Sequence, residues 1–199
     1  MADSVMHPRK WAVVLLVCVG VLMTTLDASI VNISLPAIAR AFDTPLSGTI
    51  EWVIIGYLVV VAALLLTFGR LSDLVGRTSI WTGGLAVFTL GSALCGAAPS
   101  LELLIAARMV QGIGSALILA TSTAILTGVV PPAERGRALG WSAVAVGLGT
   151  SAGPTLGGLL TEHLSWRWIF YVNLPIGLGA LAATQRILPR TGRPERGRL

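Results

Sequence analysis

Charge is scarce in this sequence of 199 residues. Only 12% of positions are Asp, Glu, Lys or Arg, about half the share of a soluble globular domain. With 54% hydrophobic residues, a water-soluble fold could not cover its own surface with polar groups, and that class is set aside. Cysteine and histidine are also rare, at two each. Cys18 and Cys95 fall inside apolar runs at different depths, and His7 and His163 lie near segment ends. This argues against a disulfide framework, a Cys/His metal cluster and a Ser/His/Asp catalytic set. Acidic residues are outnumbered, giving a net charge of +5. The basic residues occupy short links and the C-terminal stretch rather than one face interleaved with aromatics, so nucleic acid is not an expected partner.

What is present is a series of apolar runs of the length that crosses a hydrocarbon core about 30 Å thick. Six can be counted, at 11–38, 50–68, 79–98, 101–129, 138–161 and 168–187. They predict an all-α membrane protein, a six-transmembrane-helix bundle with the lipid bilayer as its solvent. Residues 1–10 form a short polar N-terminus, and 188–199 a basic tail rich in Pro and Arg. Arg9 and Lys10 before the run at 11–26 resemble a secretory signal, but no convincing small-x-small cleavage site follows and equal runs recur downstream. An uncleaved first helix is expected.

Basic residues favour cytoplasmic loops. With the N-terminus inside, that side carries Arg9, Lys10, Arg70, Arg77, Arg135, Arg137, Arg186, Arg190, Arg193, Arg196 and Arg198, against Arg40 and Arg167 outside. Both termini are expected in the cytoplasm and the chain in the plasma (inner) membrane. All six tryptophans, at 11, 52, 81, 141, 166 and 168, fall at segment ends, where amphipathic rings prefer the interface.

Two charges interrupt the apolar runs, Asp27 in the first and Arg108 in the fourth. Each costs about 2.5 kcal/mol or more to insert, so such residues usually mark function. At 1.5 Å per residue, Asp27 lies roughly 24 Å from the inner surface and Arg108 roughly 10 Å from the outer one. In a core about 30 Å thick both fall in the outer half, at similar depth. Gln111 and Ser115 follow Arg108 at i+3 and i+7, and Ser34 follows Asp27 at i+7, so each helix carries a polar stripe. Two facing stripes are expected to line a water-accessible cavity. Burial disfavours a charged carboxylate while a nearby guanidinium favours it, which suits Asp27 to loading and releasing a proton. The competing reading is a static ion pair.

Two further patterns stand out. In the fifth segment, Gly149-Thr-Ser-Ala-Gly153-Pro154-Thr-Leu-Gly157-Gly158 repeats glycine every four residues, a groove for close helix approach, and Pro154 removes a backbone hydrogen bond and invites a kink. The stretch 69–78, beginning Gly69-Arg70-Leu-Ser-Asp73-Leu-Val-Gly76-Arg77, is expected as a cytoplasmic loop whose glycines permit a tight turn and whose charges pair with helix ends.

Taken in order, these motifs resemble the major facilitator superfamily, and within it the fourteen-helix drug:proton antiporters. The stretch from Gly69 to Arg77 is similar to that superfamily's loop between helices two and three, although Leu74 and Thr78 stand where the family often has basic residues. Arg108-Met-Val-Gln111-Gly-Ile-Gly114 resembles its helix-four motif, Gly149 to Gly158 its antiporter motif, and Leu26-Asp27-Ala-Ser-Ile-Val-Asn32-Ile-Ser-Leu-Pro36 its helix-one motif. Trp166-Arg-Trp-Ile-Phe-Tyr-Val-Asn173-Leu-Pro175-Ile-Gly177 looks typical of the fourteen-helix branch. The resemblance implies the N-terminal half of a transporter, exporting hydrophobic or cationic compounds, with no cofactor and the proton gradient as energy source. Asp27, Arg108, Gln111 and Ser115 would serve proton coupling and the cavity. Gly149, Gly153, Pro154, Gly157 and Gly158 would serve a pivot, and Gly69, Arg70, Asp73, Gly76 and Arg77 a gate. Family members carry twelve or fourteen helices. A six-helix chain is therefore expected to be part of a longer product, to rebuild the cavity as a homodimer or with a second half, or to be a non-transporting membrane fragment or scaffold.

Overall fold

In a bilayer no water is available to the backbone, so a spanning segment must satisfy its own N–H and C=O groups, which selects helices. The computed structural model describes residues 9–46 and 48–187, and its long elements are all helical. They are α1 (Lys10–Ala41), α2 (Trp52–Val75), α3 (Arg77–Ala97), α4 (Leu101–Val129), α5 (Arg135–His163), α6 (Trp168–Tyr171) and α7 (Asn173–Ile187), with single 3₁₀ turns at Gly48–Glu51 and Pro132–Glu134. The tail at 188–199, His7 and most of the N-terminal stretch lie outside the described residues.

Among the described residues, five helices are long and apolar enough to cross a membrane: α1, α2, α3, α4 and α5. The sixth segment is split at Val172 into α6 and the 15-residue α7. Pro175 accounts for the break. It has no N–H to offer the Tyr171 carbonyl four residues back, yet it fits the first turn of a new helix. α5 runs 29 residues, as long as α4, and continues past the apolar run at 138–161 at both ends.

The stretch expected as a loop is mostly helix. α2 continues through Gly69, Arg70 and Asp73 to Val75, and α3 starts at Arg77. Gly76 alone makes the turn, at φ +106°, a conformation that side-chain-bearing residues rarely adopt. Asp73 and Arg77 form an exposed pair at 3.0 Å across it, and Arg77 also donates to the Ala124 carbonyl of α4 at 3.4 Å.

α4 packs on both α2 and α3, while α1 packs mainly on α5, and α7 lies against α1 and α3. Glycines permit the closest approaches. Gly91 and Gly114 sit against the α4 and α3 backbones at Gln111 and Phe88 respectively. On α5, Gly149 meets Thr25, Gly153 meets Ser29, and Gly157 meets Ile30 and Ile33. Gly158 faces open space and is not part of this seam. The tryptophans divide: Trp52, Trp141 and Trp168 are about half exposed, whereas Trp81 and Trp166 are core residues. Trp81 lies against Gly20, and Trp166 packs on Phe42 and Phe170. A position near a helix end therefore does not by itself make a tryptophan an interface anchor here.

Candidate functional site

Asp27 and Arg108 meet in the interior. The carboxylate Oδ2 accepts from Arg108 Nη1 at 2.6 Å, and the two side chains are 0% and 1% exposed. The guanidinium also donates to Gln111 Oε1 at 2.5 Å and, through Nε, to the Val53 carbonyl of α2 at 3.0 Å. Its charge lies over the Tyr57 ring, 4.1 Å from the centroid, a further attraction on the order of 2 kcal/mol for a desolvated cation. The other carboxylate oxygen, Oδ1, accepts from Gln111 Nε2 and from Asn173 Nδ2, each at 2.9 Å. Gln111 Nε2 also donates to Ser92 Oγ at 2.7 Å. The cluster thus draws on α1, α2, α3, α4 and α7.

Helical spacing explains why Arg108, Gln111 and Ser115 share a face, but their partners differ. Ser115 does not touch the ion pair; its Oγ accepts from Tyr57 OH at 2.8 Å. Ser34 turns to α5 instead, 3.1 Å from Thr161 Oγ1. The expected water-accessible cavity lined by both polar stripes is not what forms. Asp27, Gln111 and Ser115 are sealed from solvent. An open cavity of about 270 Å³ lies one layer outward, between α1, α2 and α5, lined by Thr25, Ser29, Asn32, Tyr57, Arg108 and Thr150 among others. Arg108 therefore joins the cluster to the cavity. The physical cause is packing: the gap between α1 and α4 is filled by the ion pair and its amide partners.

Four residues of the cluster escaped the reading of polar stripes: Tyr57, Ser92, Cys95 and Asn173. Asn173 carried a usable signal, a lone amide in an apolar segment just before a helix-breaking proline. Ser92 and Tyr57 had none beyond mild polarity. Cys95 approaches Gln111 Oε1 at 3.6 Å and looked like an ordinary apolar residue.

The α1–α5 seam has its own polar latch. Pro154 lacks the N–H that the Thr150 carbonyl would accept four residues back. Ser29 of α1 supplies the missing donor, its hydroxyl bonding Thr150 O at 2.8 Å. The proline therefore exchanges a bond within α5 for one between helices, while α5 remains one continuous helix.

These features define an all-α membrane protein, a bundle with a buried, hydrogen-bonded ion pair at its centre. The major facilitator superfamily model matches residues 17–198, and the chain belongs to that superfamily. It is 41% identical over 92% of its length to the riboflavin transporter RibZ of Clostridioides difficile (strain 630), covering 40% of that protein. It is 45% identical over 83% of its length to the multidrug resistance protein Stp of Mycobacterium tuberculosis, covering 31% of that protein. To the tetracenomycin C resistance and export protein of Streptomyces glaucescens it is 38% identical over 93% of its length, covering 34%. The chain thus spans less than half the length of these curated relatives. Among solved structures, the proton:xylose symporter XylE superposes with a TM-score of 0.81 at 15% identity, over 92% of this chain and 45% of that one. An inward-facing bacterial homolog of the lysosomal transporter Spinster gives 0.74 at 18%, over 96% and 45%. At these identities the likeness establishes the fold: the bundle corresponds to one half of a major facilitator transporter.

Proposed function

We propose that this bundle is the N-terminal half of a proton-coupled exporter of the fourteen-helix drug:proton antiporter kind. In this reading it sits in the plasma membrane with both termini cytoplasmic, and it moves hydrophobic or cationic compounds outward in exchange for protons. The observation that carries the reading is the Asp27–Arg108 pair. A static pair so deep in lipid is costly, and apolar packing of equal volume would hold two helices as well or better. A carboxylate held by one cation and two amides has its charged form satisfied. Protonation would free Arg108, which already borders the cavity, to reorganise. The name of one relative, a tetracenomycin C resistance and export protein, supports the export direction.

In the same reading the outward faces of α2 and α5, with Leu58, Leu66 and Leu148 at least half exposed, meet a second six-helix half or a second copy. Transporter sites of this kind lie at the interface between two repeats. The α1–α5 glycine seam with Pro154 acts as a pivot, and the Gly76 turn with Asp73 and Arg77 as a cytoplasmic gate. The test is uptake of a cationic dye into inverted vesicles with and without an imposed proton gradient. Gradient-dependent uptake that Asp27→Asn abolishes, at normal expression, is the expected result. Uptake that survives Asp27→Asn unchanged would refute the proton role, and no gradient-dependent uptake even with the chain joined to a second six-helix half would leave a scaffold.

A further inference from the structure

The three partners of the Asp27 carboxylate differ in their freedom. Arg108 is held at Nε by the Val53 carbonyl and by the Tyr57 ring face. Gln111 is locked at both ends, its Oε1 accepting from Arg108 and its Nε2 also donating to Ser92. Neither amide atom of Gln111 can change places without breaking another bond. Asn173 is different. Its Nδ2 donates to Asp27 Oδ1 at 2.9 Å, but its Oδ1, in a residue 0% exposed, has no hydrogen-bond partner. A buried acceptor without a donor is unfavourable and calls for an explanation.

We propose that Asn173 is a positioning residue that follows the protonation state of Asp27 by turning its amide over. With Asp27 ionised, Nδ2 faces the carboxylate and donates. When a proton from the aqueous phase binds Asp27 Oδ1, that oxygen becomes a donor, and an amide rotated by half a turn presents Asn173 Oδ1 to accept it. One N–H···O bond is replaced by one O–H···O bond, and the proton stays on Asp27 until it leaves by the reverse route. The side chain thereby satisfies Asp27 in both forms, which neither Arg108 nor Gln111 can do. The split of the sixth segment at Val172 is what makes this placement possible, because it sets Asn173 at the first position of α7 against α1.

The titratable and charged groups near Asp27 are Arg108 from α4, Tyr57 from α2 and Cys95 from α3. Those of α5 (Arg135, Arg137, Glu162, His163) and the Arg186 of α7 stand at the helix ends, and Tyr171 of α6 lies against Gly96. None of the other described ligands of Asp27 offers a free amide oxygen.

The proposal rests on the proton-binding role of Asp27, and the test separates the two. The sequence contains two asparagines, Asn32 and Asn173. An isotope label in the asparagine side-chain amide therefore reports on only two groups in a pH-difference infrared spectrum of the whole chain in lipid. A carboxyl band that appears on acidification and is lost in Asp27→Asn identifies the proton site. The expected result is a labelled amide band shifting with the same midpoint, retained in Asn32→Ser and lost in Asn173→Leu. If Asn173→Leu does not fold, retention of the band in Asn32→Ser assigns it alone. A carboxyl band that titrates beside a labelled amide that stays still, or a shift confined to Asn32, would overturn the role of Asn173 and leave that of Asp27 standing. No Asp27-dependent carboxyl band would overturn both.

Discussion

A charge in the bilayer interior is tolerated when hydrogen-bond partners replace its water, and five helices contribute to the cluster that holds Asp27 and Arg108. Removing one partner leaves the other as an uncompensated buried charge. Arg108→Ala is therefore expected to destabilise the bundle by about 3–5 kcal/mol, read as a lowered unfolding midpoint in mixed micelles. Arg108→Lys keeps the charge, but an ammonium cannot bond Asp27, Gln111 and the Val53 carbonyl with a planar fork, so it should recover only part of the loss. Full recovery by lysine would show that charge alone matters. At this scale the sequence was partly legible. Asp27, Arg108 and Gln111 stood out because a charge or amide in an apolar run has few innocent explanations. Ser115 and Ser34 stood on the right helix faces, yet each found a different partner, since spacing along one helix says nothing about what stands opposite.

Among the elements, α1 and α5 show how backbone chemistry sets helix pairing. Gly149, Gly153 and Gly157 let the helices touch along Thr25, Ser29 and Ile33. A Cβ at Gly153 would lie 2.5 Å from Ser29 Oγ and 3.0 Å from the Ile30 amide nitrogen. Gly153→Leu should accordingly cost about 1–3 kcal/mol through overpacking, measured by the same unfolding assay. Gly158→Ala, facing open space, is expected to be neutral or slightly stabilising because alanine favours helix over glycine. The Ser29 latch makes a second prediction. Ser29→Ala leaves the Thr150 carbonyl without a donor and should cost about 1 kcal/mol. Pro154→Ala restores the N–H four residues on, so the double variant should lose less than the sum of the singles. Strict additivity in that double-mutant cycle would show that the two positions are not coupled. The glycine repeat was readable as a groove, but its partner helix and the exclusion of Gly158 were not. The stretch from Gly69 to Val75 was misjudged because its charges suggested solvent, whereas α2 simply extends beyond the apolar run.

For the whole molecule, the side assigned to each link follows from where the basic residues fall, and it can be checked directly. Cys18 and Cys95 are buried, so single cysteines introduced at exposed Thr49 and Ala133 should report cleanly to a membrane-impermeant thiol reagent. In intact cells Thr49→Cys is expected to label and Ala133→Cys to label only after permeabilisation. The reverse pattern would invert the proposed topology. The unequal burial of the helices is also a whole-molecule property. α1 is largely enclosed, while α2 and α5 turn broad apolar faces outward. Such faces suit lipid, but the polar cavity between α1, α2 and α5 does not, since unsatisfied polar groups in hydrocarbon are expensive. That cavity is the physical ground for expecting a second half or copy to cover it.

Composition, run length and the two buried charges determined from sequence alone that this is a multi-span helical membrane protein with a polar centre. They could do so because hydropathy and helical rise act locally, one segment at a time. Only the tertiary structure decided which polar groups form that centre. Asn173 reaches Asp27 from 146 positions away, and it does so through a break in α6–α7 and the packing of α7 on α1. The structure also decided that the Asp27 carboxylate is sealed from water, with Arg108 alone of the pair bordering a cavity. Both outcomes depend on which helix faces meet, and no single segment carries that information.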